Sequence, residues 1–108
     1  LSGTISNKIG QLEGLNYLNL YSNQLSGTLP QGLGNLKELA SLGLWGNQLT
    51  GTIPEIFCGM SKLQELYIEE NLFFGAVPNS LSGCCVPQLV FLFLDDNYLS
   101  SFPASLQE

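Results

Sequence analysis

"LGLWGNQLTGTIP", Leu42 to Pro54, begins as a strand and ends as a turn. Leu42 and Leu44 alternate with Gly43 and Trp45, the period of two that a half-buried strand requires. Gly51, Thr52, Ile53 and Pro54 close the stretch with turn chemistry. Asn47 stands between the two halves, an uncharged amide among residues patterned for burial. Neither the alternation nor the turn explains it, so its purpose has to be sought elsewhere in the chain.

Working outward, the same arrangement recurs. Leu12 to Asn35 and Leu36 to Gly59 are both 24 residues long and align column by column. Met60 to Cys85 is two residues longer, and a fourth row runs from Val86 to Glu108. Leu1 to Gln11 supplies a half row that begins at the LSGTI segment. Asparagine recurs at Asn23, Asn47, Asn71 and Asn97, each three residues after the last strand Leu or Ile (Leu20, Leu44, Ile68, Leu94). A coil that turns sharply out of a strand leaves backbone N–H and C=O groups inside, where they need partners. A side-chain amide donates and accepts at once, so a file of them can serve the turns of successive coils. That file is the expected use of Asn47.

The columns also predict a core. Leu18 and Leu20, Leu42 and Leu44, Leu66 and Ile68, and Leu92 and Leu94 point to one side of a strand. Leu25, Leu49, Phe73 and Leu99, with Leu29, Ile53, Val77 and Phe102, are expected to fill the same interior. A single row cannot bury its own apolar face, so stability must come from stacking. Pro30, Pro54, Pro78 and Pro103 are expected to end a second strand segment, with Gly27, Gly51 and Gly75 loosening the backbone before it. The fourth row reads SSFP, one residue short and without that glycine, which argues against a second strand there.

The repeated pattern LxxLxxLxLxxNxLsGxiPxxlgx resembles the plant-type, 24-residue subclass of extracellular leucine-rich repeats and covers essentially the whole chain. The resemblance implies an α/β-type solenoid: a right-handed coil with a parallel concave β-sheet, little or no regular α-helix, and 3-10 turns and loops on the convex side. It implies an extracellular or cell-surface protein of the secretory pathway. The sequence holds no N-x-S/T acceptor, although repeats of this subclass usually carry several: Asn79 is followed by Ser80 and Leu81. Because the chain opens and closes within a row and lacks the subclass's cysteine-bearing caps, residues 1–108 read as one solenoid segment of a longer protein, with neighbouring repeats or chains at both open ends.

Composition narrows the function. Three lysines face nine carboxylates with no histidine, a net charge of −6, which argues against nucleic acid. The longest apolar run, Leu89 to Leu94, is far short of a membrane span, so this segment is not expected to contact a bilayer. Without histidine, and with lysines scattered, no hydroxyl or thiol has a base beside it. A glycosidase needs two converging carboxylates in a cleft, whereas the acids here are expected to lie solvated on an open sheet. No phosphate-binding glycine loop is present. Neither catalysis nor a cofactor is expected. Three cysteines, two of them adjacent, make a poor zinc set, and no metal is expected. Cys58 and Cys84 occupy corresponding places in successive rows, about 5 Å apart, which permits a Cys58–Cys84 or Cys58–Cys85 disulfide or equally a set of buried free thiols.

The outward positions of the concave sheet are free of packing duties and form the candidate binding face. Tyr17, Asn19, Tyr21, Trp45, Glu65, Tyr67, Glu69, Glu70, Phe91, Phe93, Asp95 and Asp96 make it up. Large rings on a solvated sheet are costly unless something covers them. Glu69, Glu70, Asp95 and Asp96 add an acidic edge, and a protein, peptide or glycan with a basic patch beside an apolar surface would match both features. The plainer explanation is cross-strand stacking that stabilises the sheet. The leading expectation is a non-catalytic recognition module of a receptor or inhibitor. Two alternatives are a structural subunit that packs into a larger assembly, and an ice-binding surface on the column Thr4, Thr28 and Thr52, which Ala76 interrupts.

Overall fold

In the computed structural model, residues 2–81 and 85–102 are described; Cys84 and Pro103 lie outside them. Nine short strands alternate with 3-10 turns, and no α-helix occurs among the described residues. The strands are β1 (Ser2–Thr4), β2 (Tyr17–Asn19), β3 (Gln24–Gly27), β4 (Ser41–Gly43), β5 (Gln48–Leu49), β6 (Glu65–Tyr67), β7 (Phe74–Ala76), β8 (Phe91–Phe93) and β9 (Tyr98–Ser101). The 3-10 turns span Asn7–Gln11, Gln31–Asn35, Phe57–Gly59 and Asn79–Leu81.

One sheet runs β2-β4-β6-β8, parallel throughout, with Leu18, Leu42, Leu66 and Leu92 in register. Parallel pairing demands that the chain return to its starting side between strands, and here each return is one coil of the solenoid. Backbone bonds continue the pairing beyond the strand ends: Leu44 N–H donates to Tyr67 C=O (2.7 Å), and Gly46 N–H to Glu69 C=O (3.2 Å). A second parallel set, β1-β3-β5, and the pair β7-β9 lie on the flank where each coil leaves its asparagine.

The core forms as stacking requires. Leu42, Leu44, Leu66 and Ile68 in the two middle coils are completely buried, whereas their counterparts Leu18, Leu20, Leu92 and Leu94 are only partly covered. Leu29, Ile53 and Val77 are buried as the pattern predicts. Phe102 is not: it is 41% exposed, because in the fourth coil it has no following coil over it among the described residues.

The flank differs from expectation in two further ways. The second strand does not run up to the prolines. β3 stops at Gly27 and β5 at Leu49, and Pro30 instead heads the 3-10 turn Gln31–Asn35. Proline suits that place, since the first residues of a helical turn have no intrahelical use for an N–H. The fourth coil does make its strand: β9 pairs with β7 through Phe74–Tyr98 and Gly75–Leu99, then shifts register so that Ala76 meets Ser101. A bulge thus absorbs the departure from the repeat that argued against this strand.

Candidate functional site

The asparagine file is closed almost entirely by backbone. Asn47 Nδ2 donates to the carbonyls of Leu20 (2.9 Å) and Leu44 (3.0 Å), and its Oδ1 accepts from Leu25 N–H (3.1 Å). Asn71 repeats this with Leu44 C=O, Ile68 C=O and Leu49 N–H, and Asn97 with Ile68 C=O, Leu94 C=O and Phe73 N–H. Each amide therefore joins its own turn to the preceding coil. Asn23 binds Leu20 C=O (3.0 Å) and Tyr21 C=O (3.1 Å) within its own turn. The tight turn drives the residue before each asparagine into the left-handed region: Ser22 (φ 54°), Gly46 (φ 73°), Glu70 (φ 58°) and Asp96 (φ 57°). Only Gly46 takes that conformation without a Cβ penalty.

The concave face resolves into three columns, set by strand register. Tyr17, Ser41, Glu65 and Phe91 form the first, and Asn19, Gly43, Tyr67 and Phe93 the second. Tyr21, Trp45, Glu69 and Asp95 follow one rung beyond, where the backbone pairing continues. The sequence-predicted aromatic cluster divides accordingly. Tyr21 and Trp45 stack with centroids 4.9 Å apart and planes 3° from parallel. Tyr67 and Phe93 stack at 5.2 Å and 11°. Tyr17 (66% exposed) and Phe91 stand at opposite ends of the first column, with Ser41 and Glu65 between them. Asn19 leans over Gly43, placing its Oδ1 2.6 Å from where a Cβ there would be.

The acids are not equivalent. Glu70, Asp95 and Asp96 are exposed, but Glu69 is partly buried, and its Oε1 is shielded from solvent with no hydrogen-bond partner. Burial, then the charges of Asp95, Glu70 and Asp96, raise the Glu69 carboxyl above its ordinary value. Burial and the charges of Glu65 and Glu69 likewise raise the Tyr67 phenol. No cation balances this set: among the described residues the ion pair is Lys62–Glu38 (2.7 Å), an exposed contact in the turns before β4 and β6.

Some structural roles were missed by sequence reasoning. Asn7 Oδ1 accepts from Gly32 N–H (2.6 Å), and Glu55 Oε1 from Ser80 N–H (2.9 Å). Both acceptors follow the residue that closes the SGTIP-type segment (Ser6 and Pro54), and the polar run Asn7, Gln31, Glu55 and Asn79 in that column was the available signal. The Ser80 N–H holds the Glu55 carboxyl below its ordinary value. Unlike Thr4 in β1, Thr28 and Thr52 lie outside strands. Their methyls cover the next coil's glycine: a Cβ on Gly51 would meet Thr28 Cγ2 at 2.9 Å, and one on Gly75 would meet Thr52 Cγ2 at 3.2 Å. Cys58 is disulfide-bonded to Cys85, with Cα atoms 4.4 Å apart. Among the described residues no group of three or more His, Cys, Asp or Glu is placed to hold a metal ion, and no helix is long and apolar enough to cross a membrane.

The leucine-rich-repeat family model matches residues 37–99, and a second model of the same description matches residues 14–36. The chain belongs to the leucine-rich-repeat family, in its plant-type subclass. A chain in the crystal structure of the Arabidopsis receptor kinase HAESA, in complex with the peptide hormone IDA and the co-receptor SERK1, is similar with a TM-score of 0.91 and 37% identity, over 98% of this chain and 18% of that one. The BIR3–SERK2 complex from Arabidopsis thaliana gives 0.89 and 32%, over 97% and 56% respectively. A plant ice-binding protein gives 0.85 and 34%, over 92% and 32%. The chain spans 12% of the ectodomain of the Arabidopsis membrane receptor kinase GASSHO1/SCHENGEN3, which it also resembles. No curated protein sequence matches it significantly.

Proposed function

We propose that these 108 residues are a non-catalytic recognition segment of an extracellular receptor ectodomain, taking a peptide or protein ligand along the concave sheet. The observation that carries the reading is the pair of ring stacks, Tyr21–Trp45 and Tyr67–Phe93, standing on an otherwise open sheet beside uncompensated carboxylates. Stacking stabilises the sheet, but the stacked rings leave Tyr21 and Phe93 exposed, and such area gains most when a ligand removes it from water. The HAESA structure, solved with a peptide hormone, supplies a similar protein with a peptide bound. The Cys58–Cys85 bridge fits the oxidising environment of a secreted protein.

The reading is tested by selecting binders to the 108-residue chain from a phage-displayed random peptide library. Selected peptides should lose about tenfold or more in affinity for the Trp45→Ala/Tyr67→Ala double variant, whose circular dichroism and melting should stay near those of the parent. Affinity unchanged by the double substitution, or no enrichment at all, would refute concave-face recognition.

A further inference from the structure

Glu69 on the concave face is partly buried, and its Oε1 is closed to solvent without a hydrogen-bond partner. It occupies the same rung as Trp45 and Asp95, one strand to either side, because Gly46 N–H donates to Glu69 C=O and Glu70 N–H to Asp95 C=O. Adjacent strands are about 4.8 Å apart, so Trp45 and Asp95 stand within side-chain reach on its two flanks. Trp45 lies 3° from parallel to Tyr21, which covers it from the N-terminal side. Its other face is therefore turned toward Glu69. One carboxylate oxygen of Glu69 is desolvated without a donor, and the neighbouring charges are all of its own sign.

A buried acceptor without a donor is costly, and the cost falls when a cation neutralises the carboxylate it belongs to. The geometry also selects among cations. An ammonium needs water or acceptors around it in three dimensions. A guanidinium is planar and weakly hydrated, stacks on an indole face, and donates in its own plane to two oxygens at once. Trp45, Glu69 and Asp95 follow one another across three strands of this rung, so an indole and two carboxylates stand side by side.

Resting on the recognition reading above, we propose that Glu69, between Trp45 and Asp95, seats the guanidinium of a single arginine in the peptide that the concave sheet binds. The flanking stacks Tyr21–Trp45 and Tyr67–Phe93 then cover the residues on either side of that arginine. Glu69 supplies the specificity, and the rings supply the contact area.

Trp45 is the chain's single tryptophan, so its indole N–H gives one assignable NMR signal next to the site. The probes are N-acetyl-arginine amide, N-acetyl-lysine amide and the neutral isostere N-acetyl-citrulline amide, titrated into the full 108-residue chain. Arginine amide should shift the indole signal saturably, with citrulline amide about tenfold weaker or silent and lysine amide intermediate. Glu69→Gln should weaken arginine amide by about tenfold, and Asp95→Asn should weaken it by less. Because the folded chain gains nothing from the Glu69 charge, the Glu69→Gln variant should melt no lower than the parent, and that provides the folding control. Equal responses to arginine and citrulline amides, lysine amide binding as well as arginine amide, or indifference to Glu69→Gln would each overturn the proposal. Peptides selected by the library that depend on Trp45 and Tyr67 yet lack arginine and ignore Glu69→Gln would sink this inference while leaving recognition standing. Saturable arginine binding at Glu69 with no library binders would do the reverse.

Discussion

Asn71 and Glu69 lie two residues apart in one coil, and the fold uses them in opposite ways. Asn71 is 4% exposed, and its amide donates to Leu44, Ile68 and Glu69 carbonyls while accepting from Leu49 N–H. Glu69 is also partly buried, yet one of its side-chain oxygens has no donor. A polar group whose hydrogen-bonding capacity is fully taken up inside the chain needs no ligand to explain it. One that is desolvated and unpaired carries a cost that the fold leaves in place and that neutralising its charge would lower. On that criterion the turn column is architecture, and the concave rung holding Trp45, Glu69 and Asp95 is the proposed site.

The sharpest way to break the contrast is to remove the amide. Asn71→Ala leaves the buried Leu49 N–H without its acceptor and takes one of two amide donors from each of the Leu44 and Ile68 carbonyls, which keep Asn47 and Asn97, and stability should fall by about 3 kcal/mol in chemical denaturation, a large share of the roughly 5–15 kcal/mol typical of a domain. Loss of less than about 1 kcal/mol would mean that water replaces the amide easily, and the column would then not be what fixes the coil spacing.

A smaller effect is expected on the flank. Gly51→Ala places a Cβ 2.9 Å from Thr28 Cγ2 at a residue whose φ is 83°. The conformational part costs about 1 kcal/mol and the contact adds a similar amount, so about 2 kcal/mol in total. Adding Thr28→Ser deletes the offending methyl and should recover the contact part alone, which a double-mutant cycle reads directly. Strict additivity of the two changes would show that the threonine methyl does not seat on the glycine, and the exposed column Thr4, Thr28 and Thr52 would again lack a packing explanation.

How much of this was legible in the sequence follows from what repeats. The coil, its core columns and the inward asparagines were readable because each is stated several times at a fixed interval, so local ambiguity averages out. Features stated once were not. The bulge that lets β9 pair with β7 answers a single irregularity in the fourth row, and the exposure of Phe102 depends on what lies over one coil rather than on the coil's own residues. The division of six concave aromatics into two stacked pairs and two rings standing apart depended on which side chain interrupts them: Gly43 and Glu69 are ordinary letters in the pattern, but register puts the first beside Tyr67 and the second beside Trp45. That one oxygen of Glu69, unlike those of Glu70, Asp95 and Asp96, is closed to solvent without a partner could not be read from a row of similar carboxylates.

The smallest predicted effect tests whether the Glu69 charge is idle in the fold. Its carboxyl is raised above the ordinary value of 4.5 by burial first and by Asp95, Glu70 and Asp96 next, so the folded chain holds the proton to higher pH than the unfolded chain does. Stability from this group is accordingly greatest when it is protonated and declines as pH rises from about 4.5 through the raised value. Glu69→Gln removes the titration. The variant should match the parent at low pH and then exceed it by a margin that grows with pH and levels off, below about 1 kcal/mol once solvent screening is counted. Glu55 provides the opposite sign within the same molecule: its carboxyl is lowered by the Ser80 N–H, so its contribution is present above about 4.5 and disappears as pH falls through the lowered value. Melting curves of parent, Glu69→Gln and Glu55→Gln across this range separate the two. A Glu69→Gln variant that is less stable at neutral pH would show that the fold uses this carboxylate after all, and the distinction between it and Asn71 would collapse.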